Sequence, residues 1–255
     1  MKNIKKYIIV LLFIMVWIII FALAVRSGNK QEEKNTTQYV LIDPFNYWKY
    51  TNQKWENIDS INDFDKVTEE INWKKYDIYV NNQYFNTLDY VLKNGQEYYF
   101  DDDTHSYEVP QEKLLLNEGS YFNIKEFYLD NFLNNDLNIV NEFLNKYNHS
   151  SNNLTVQQKY SIEDNKSIYI ISNYPDNYPE DDSGLFYLVF YRQDNKNYLL
   201  VDMGYAENVS NYKLAWVLNT ESKLDNFILS YTCEEATCYD MYEYQKGKYL
   251  KVIGT

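Results

Sequence analysis

The sequence predicts an α+β protein: a single N-terminal transmembrane helix, then a mainly antiparallel β domain with a central helical segment. Three observations predict it. Tyr7 to Ala24 is an unbroken apolar run. Leu129, Leu133, Leu137, Val140 and Leu144 recur at the helical period in mid-chain. From Ser167 onward, short aromatic and β-branched segments alternate with turn residues. The implied order is a cytoplasmic tail over 1–6, an anchor over 7–25, a polar stalk over 26–38 and an extracytoplasmic domain over 39–255.

The anchor follows from length. Tyr7 to Ala24 contains no charge, Asn, Gln, Gly or Pro. As a helix it spans about 27 Å, close to the hydrocarbon thickness of a bilayer. Ala22-Leu23-Ala24 has the small-x-small pattern of a cleaved signal peptide, but the run exceeds the usual apolar core of one, so an uncleaved single-pass anchor is expected. The bilayer is therefore one expected partner. Positive residues do not decide orientation, because Lys2, Lys5 and Lys6 face Arg26, Lys30 and Lys34 across the run.

The cysteines supply the direction. Cys233 and Cys238 are the only two, separated by Glu-Glu-Ala-Thr between strand-like flanks. Two strands joined by a four-residue loop set the loop-flanking residues opposite each other, within disulfide range. Closing so short a loop stabilises by about 2 kcal/mol, so the bridge pins a hairpin's register. A disulfide implies the oxidising side of the membrane. Without a nearby histidine the pair cannot complete a metal site.

Arg26 to Gln38 is polar and reads as a stalk. Apolar character begins at Tyr39 to Ile42 and Phe45 to Trp48. Val67, Ile71 and Trp73 are spaced as a short helix within Val67 to Tyr76. Asp77 to Val80, Asn81-Asn82 and Gln83 to Phe85 read as a tight hairpin, since Asn tolerates the positive φ such turns require. Thr87 to Leu92 and Glu97 to Phe100 continue as strands around Asn94-Gly95.

The central leucine stripe predicts a helix that Asn134-Asn135 interrupts, with Asn135 capping a second helix from Asp136 to Tyr147. Beyond the polar link Asn148 to Gln158, strands are expected at 167–173, 185–192, 198–203, 212–218, 227–233, 238–244 and 249–253. Their short connections favour antiparallel neighbours.

Composition bounds the function. Beyond the apolar run the chain carries 21 basic and 37 acidic residues, a net charge of −16. That sign repels phosphate backbones, so nucleic acid is not an expected partner. The 28 Tyr, 13 Phe and 5 Trp supply ample area for a core, although codon bias toward Asn, Lys, Ile and Tyr accounts for much of the tyrosine.

His105 and His149 are the only histidines, and neither lies near a glycine-framed serine. Asp101 to Asp103 and Glu180 to Asp182 read as solvated acidic loops, lacking the glycine and terminal glutamate of a calcium loop. No catalytic, cofactor-binding or metal-ligating residue is assigned. The site residues assigned are the disulfide cysteines, Cys233 and Cys238. The expected function is a non-enzymatic binding or scaffolding module of the cell envelope, with an envelope protein or glycan as partner. The alternative is a carboxylate-based envelope enzyme acting on glycan, which needs two carboxylates about 5–10 Å apart in an aromatic cleft.

Overall fold

A strand that is apolar at every position needs cover on both of its faces, because successive side chains point to opposite sides. Tyr187 to Tyr191 and Phe227 to Leu229 are such runs. The computed structural model describes residues 37–42, 46–52, 54–58, 64–101, 105–163, 165–173, 185–204, 209–219, 224–233 and 236–254. The expected tail, anchor and stalk up to residue 36 lie outside the described residues. Among those described, no helix is long and apolar enough to cross a membrane.

The chain forms three antiparallel sheets and, among the described residues, two helices. Sheet A holds β1 (Gln38–Ile42), β2 (Asn46–Thr51), β3 (Lys54–Asn57), β4 (Lys74–Val80), β5 (Gln83–Lys93), β6 (Gln96–Asp101), β7 (His105–Ser106) and β8 (Lys113–Asn117). Its order is β3-β2-β1-β8-β4-β5-β6-β7. A short β9 (Asn123–Ile124) then starts sheet B, and β10 (Tyr128–Asp130) starts sheet C. Sheet C continues as the meander β11 (Val156–Glu163), β12 (Lys166–Ser172), β13 (Phe186–Gln193) and β14 (Lys196–Gly204). Sheet B completes as β15 (Val209–Asn219), β16 (Asn226–Cys233), β17 (Ala236–Gln245) and β18 (Lys248–Gly254). Its order is β18-β17-β16-β15-β9. Helix α1 is Phe64–Ile71 and α2 is Asn134–Lys146.

Alternation along single strands shows how these layers stack. On β16, Phe227 and Leu229 join a core with Ile168, Ile170, Val189 and Tyr191 of sheet C. Ile228 between them joins Val40, Ile42, Trp48, Leu114 and Leu116 of sheet A. Sheet B is thus the middle layer. On β8, Leu115 points the other way and meets Val67 and Ile71 of α1. On β13, Phe186, Leu188 and Phe190 meet Val140, Phe143 and Leu144 of α2. The layers run α1, sheet A, sheet B, sheet C, α2. Burying each such side chain contributes about 1.5–3 kcal/mol.

The seven strands expected from residue 167 onward are present, each strand's ends within a few residues of the expected ones, but they divide between sheets C and B after β14 instead of forming one meander. The tight hairpin is present as well, Asn81 and Asn82 standing at φ 51° and 63°. Several expectations need correction. The link expected over Asn148 to Gln158 turns to strand at Val156, where β11 begins, and Asn135 stands inside α2 rather than capping it. The early helix is α1, displaced N-terminally from the expected span, and Lys74 to Val80 is strand.

The mid-chain stripe is helical only from Leu137 onward. Leu129 lies in β10 opposite Tyr160, and both Leu129 and Leu133 are exposed. Leu133 is the extended cap residue of α2, at φ −102° and ψ 167°. Its N–H donates to Asp136 Oδ2 at 2.8 Å. The helix therefore begins after Leu133, and the upstream backbone bonds to β11 instead. Buried Asp136 also accepts from Tyr169 Oη at 2.7 Å and lies 3.3 Å from Lys159 Nζ, which fixes α2 to sheet C.

Candidate functional site

Sheet A has eight strands and sheet B five, so cover on the face of sheet A away from α1 does not extend across the whole sheet. Cross-strand partners share a face. On β1, β2 and β8 that face packs on sheet B. Along β4, β5 and β6 the same face carries Lys75, Asp77, Thr87, Asp89, Tyr98 and Phe100, by the pairs Lys75↔Asp89, Asp77↔Thr87 and Asp89↔Phe100. Tyr79 marks the boundary, packed partly against the shared core.

Where the two sheets part, a cleft of about 580 Å³ opens. Asn81 and Asn82 at the β4–β5 tip, with Glu112 and Lys113 at the start of β8, form one wall. Lys213, Trp216, Ser230, Thr232, Thr237 and Tyr239 of sheet B contribute the opposite side. Trp216 and Tyr239 still belong to the apolar core, and beyond them the sheet B face turns to hydroxyls and Lys213. The register of β15 shifts between Ser210 and Lys213 and again between Leu214 and Trp216. Bulges of this kind re-aim side chains at a sheet's edge. Asn82 Oδ1 is buried without a hydrogen-bond partner among the described residues.

Hydroxyls, amides and aromatic faces recognise neutral polar groups, and Lys213 offers one exposed cation. Glu112 is the one carboxylate among the described lining residues, so they do not form the two-carboxylate pair of a glycosidase. Lys113 Nζ is held 2.5 Å from Glu97 Oε2. Glu97 also accepts from Tyr90 Oη at 3.1 Å, and burial pushes that phenol far above its ordinary range. Lys113 is thereby committed to the packing under α1.

On the open half of sheet A, Tyr84 Oη lies 2.8 Å from Thr87 Oγ1, which donates to Asp77 Oδ1 at 2.6 Å. Beyond this chain stand three rings in file. Trp73 lies 6.1 Å from Phe100 with planes 19° apart, and Phe100 lies 6.4 Å from Tyr98 with planes 14° apart. Trp73 is 71% exposed and sits at φ 58°, a conformation rare for a bulky residue. The turn is held by Asn72, whose side-chain amide accepts from Leu92 N–H at 2.7 Å and donates to Leu92 O at 3.0 Å. Trp73 N–H donates to Tyr90 O at 2.8 Å.

Two further charged clusters serve the sheet B–sheet C core. Buried Asp225 lies 3.1 Å from Lys125 and 3.2 Å from Lys166, while Glu163 bridges the same two lysines at 2.6 and 3.0 Å. Hydrogen bonds from Lys125 and Lys166 hold the Glu163 carboxyl below its ordinary range. On β17, burial raises Asp240 above the usual carboxylate range, opposed by Lys251 at 2.7 Å and by Tyr231 and Tyr242.

The cysteines are joined, Cα to Cα 5.9 Å, but not as directly opposed residues. The ladder pairs Cys233 with Ala236 and Cys238 with Tyr231, so the bridge is diagonal and the loop has two residues rather than four. Both sulfurs lie on the face toward sheet C. His149 Nε2 lies 2.7 Å from Asp202 Oδ1, its ring stacked on Phe186 at 4.2 Å, which ties the end of α2 to sheet C. His105 sits on the exposed β7. Residues 102–103 and 180–182 of the acidic runs lie outside the described residues. Among those described, no three His, Cys, Asp or Glu side chains converge to hold a metal.

The ring file and the cleft were not legible in the sequence, because both combine residues far apart along it. The isolated signal was Trp73, an aromatic in a charged stretch. No family model matches the chain, and no curated protein or solved structure does either.

Proposed function

We propose that this protein is a single-pass, membrane-anchored, extracytoplasmic binding or scaffolding module of the cell envelope, and that it takes a polar ligand in the cleft between sheets A and B. The observation that carries the reading is the lining itself: Asn81, Asn82, Ser230, Thr232 and Thr237 border a concave space beside Trp216 and Tyr239. Such a mixture orients a ligand without activating a nucleophile. The anchor rests on the apolar run Tyr7 to Ala24, and the outside location on the bridge between Cys233 and Cys238.

Two measurements test it. Thiol labelling of intact cells should modify Cys233 and Cys238 only after a membrane-impermeant reductant. Labelling that requires permeabilisation and no reductant would overturn the location. A photo-reactive residue at Asn81 or Lys213 should form an adduct in intact cells, and one at Lys246, in the turn at the far end of β17, should not. Adducts absent from both cleft positions would overturn the binding role.

A further inference from the structure

We infer that the ring file Trp73–Phe100–Tyr98 on the open half of sheet A is a second binding site, for a neutral glycan chain. The inference is independent of the cleft and stands on three observations.

First, the rings repeat. Steps of 6.1 and 6.4 Å with planes within 19° of parallel suit a ligand that itself repeats rings with broad faces. Two common polymers do so, nucleic acids and glycans. The net charge of −16 beyond the apolar run repels the first. A sugar ring has C–H faces of slight positive character, which the negative face of an aromatic ring attracts.

Second, the rings are flanked by hydroxyl-binding groups. Lys75 and Asp89 lie in cross-strand register with Phe100, and Asp77, Thr87 and Tyr84 continue along the same face. Donors and acceptors of both kinds beside apolar faces match the mixed surface of a sugar.

Third, the most exposed ring is held there at a cost. Trp73 is left-handed and exposed, and the doubly hydrogen-bonded Asn72 side chain fixes its turn. Strain of this kind collects where a side chain must point in one direction for function. Asn or Gly would fill the turn with less strain.

The test is co-sedimentation of the full chain, in detergent micelles, with insoluble chitin and with cellulose. Wild type should be retained by at least one of them. Trp73→Asn keeps a residue suited to positive φ, and should weaken retention about tenfold or more with a melting temperature equal to or above that of wild type. Phe100→Ala should weaken it likewise, whereas Lys246→Ala in the turn between β17 and β18 should leave it intact. Wild type that sediments with neither polymer overturns the inference, as does retention undiminished in both ring variants. Retention by immobilised denatured casein through the same rings, without retention by either polymer, overturns it in favour of a polypeptide partner. None of these outcomes bears on adduct formation at the cleft.

Discussion

One face of sheet A carries two surfaces of different fate. On β1, β2 and β8 it presents Val40, Ile42, Trp48, Leu114 and Leu116, all sealed under sheet B. On β4, β5 and β6 it presents Lys75, Asp77, Thr87, Asp89, Tyr98 and Phe100, with Val91 buried opposite Tyr98 and Trp73 at the margin. Backbone geometry is alike in both. The covered half is uncharged and apolar, and it is closed by a neighbouring layer. The open half intersperses charges among rings and so stays soluble while keeping apolar faces available. Where no layer covers a sheet, apolar residues that persist need a reason other than packing.

The comparison breaks most easily on stability. Ile228→Ala empties a fully buried site against sheet A and should cost about 2–5 kcal/mol in denaturant unfolding. Phe100→Ala on the open half should cost under about 1 kcal/mol. Equal losses would mean that the open half is structural, and the ring file would lose its distinction from core.

A smaller effect is expected at the hairpin beside the cleft. Replacing Cys233 and Cys238 together by serine should cost about 2 kcal/mol, because the loop they close is short. Hydrogen exchange should quicken at the end of β16 and the start of β17 and stay slow in sheet A. Quickening throughout sheet A would show that the bridge holds the layers together as well as the register.

The smallest effects concern pH and sharpen the contrast within the covered stack. Asp240 is raised, chiefly by burial, so its protonated form favours the fold. Its contribution is fullest below the unfolded value of about 3.9 and is lost as pH rises through the higher folded value. Glu163 is lowered by Lys125 and Lys166, so its contribution is present above about 4.3 and is lost as pH falls through the folded value. Asp240→Asn should therefore flatten the decline of stability on the side above the aspartate range, and Glu163→Gln the decline on the acid side. Identical pH profiles for the two variants would contradict both assignments.

Much of the β architecture was readable in the chain. Strands β12 to β18 of sheets B and C follow from aromatic and β-branched runs between turn residues, whereas β9, β10 and β11 carry no such signal, and Asn81-Asn82 and Asn94-Gly95 stand at the turns their chemistry requires. The helical period misled at Leu129 and Leu133, since spacing alone cannot tell that a ladder with β11 holds the backbone there.

Local pattern determined which segments became strands and where they turned, because φ preference and side-chain alternation act over a few residues. It left open that Ile228 would face sheet A while Phe227 and Leu229 face sheet C. It left open equally that β1 would pair with β8, that Cys233 and Cys238 would meet on the diagonal, and that sheet B would stop short of Trp73. Those outcomes depend on which surfaces bury each other across long stretches of chain. That choice is made by the free energy of the whole stack, and no window of the sequence contains it.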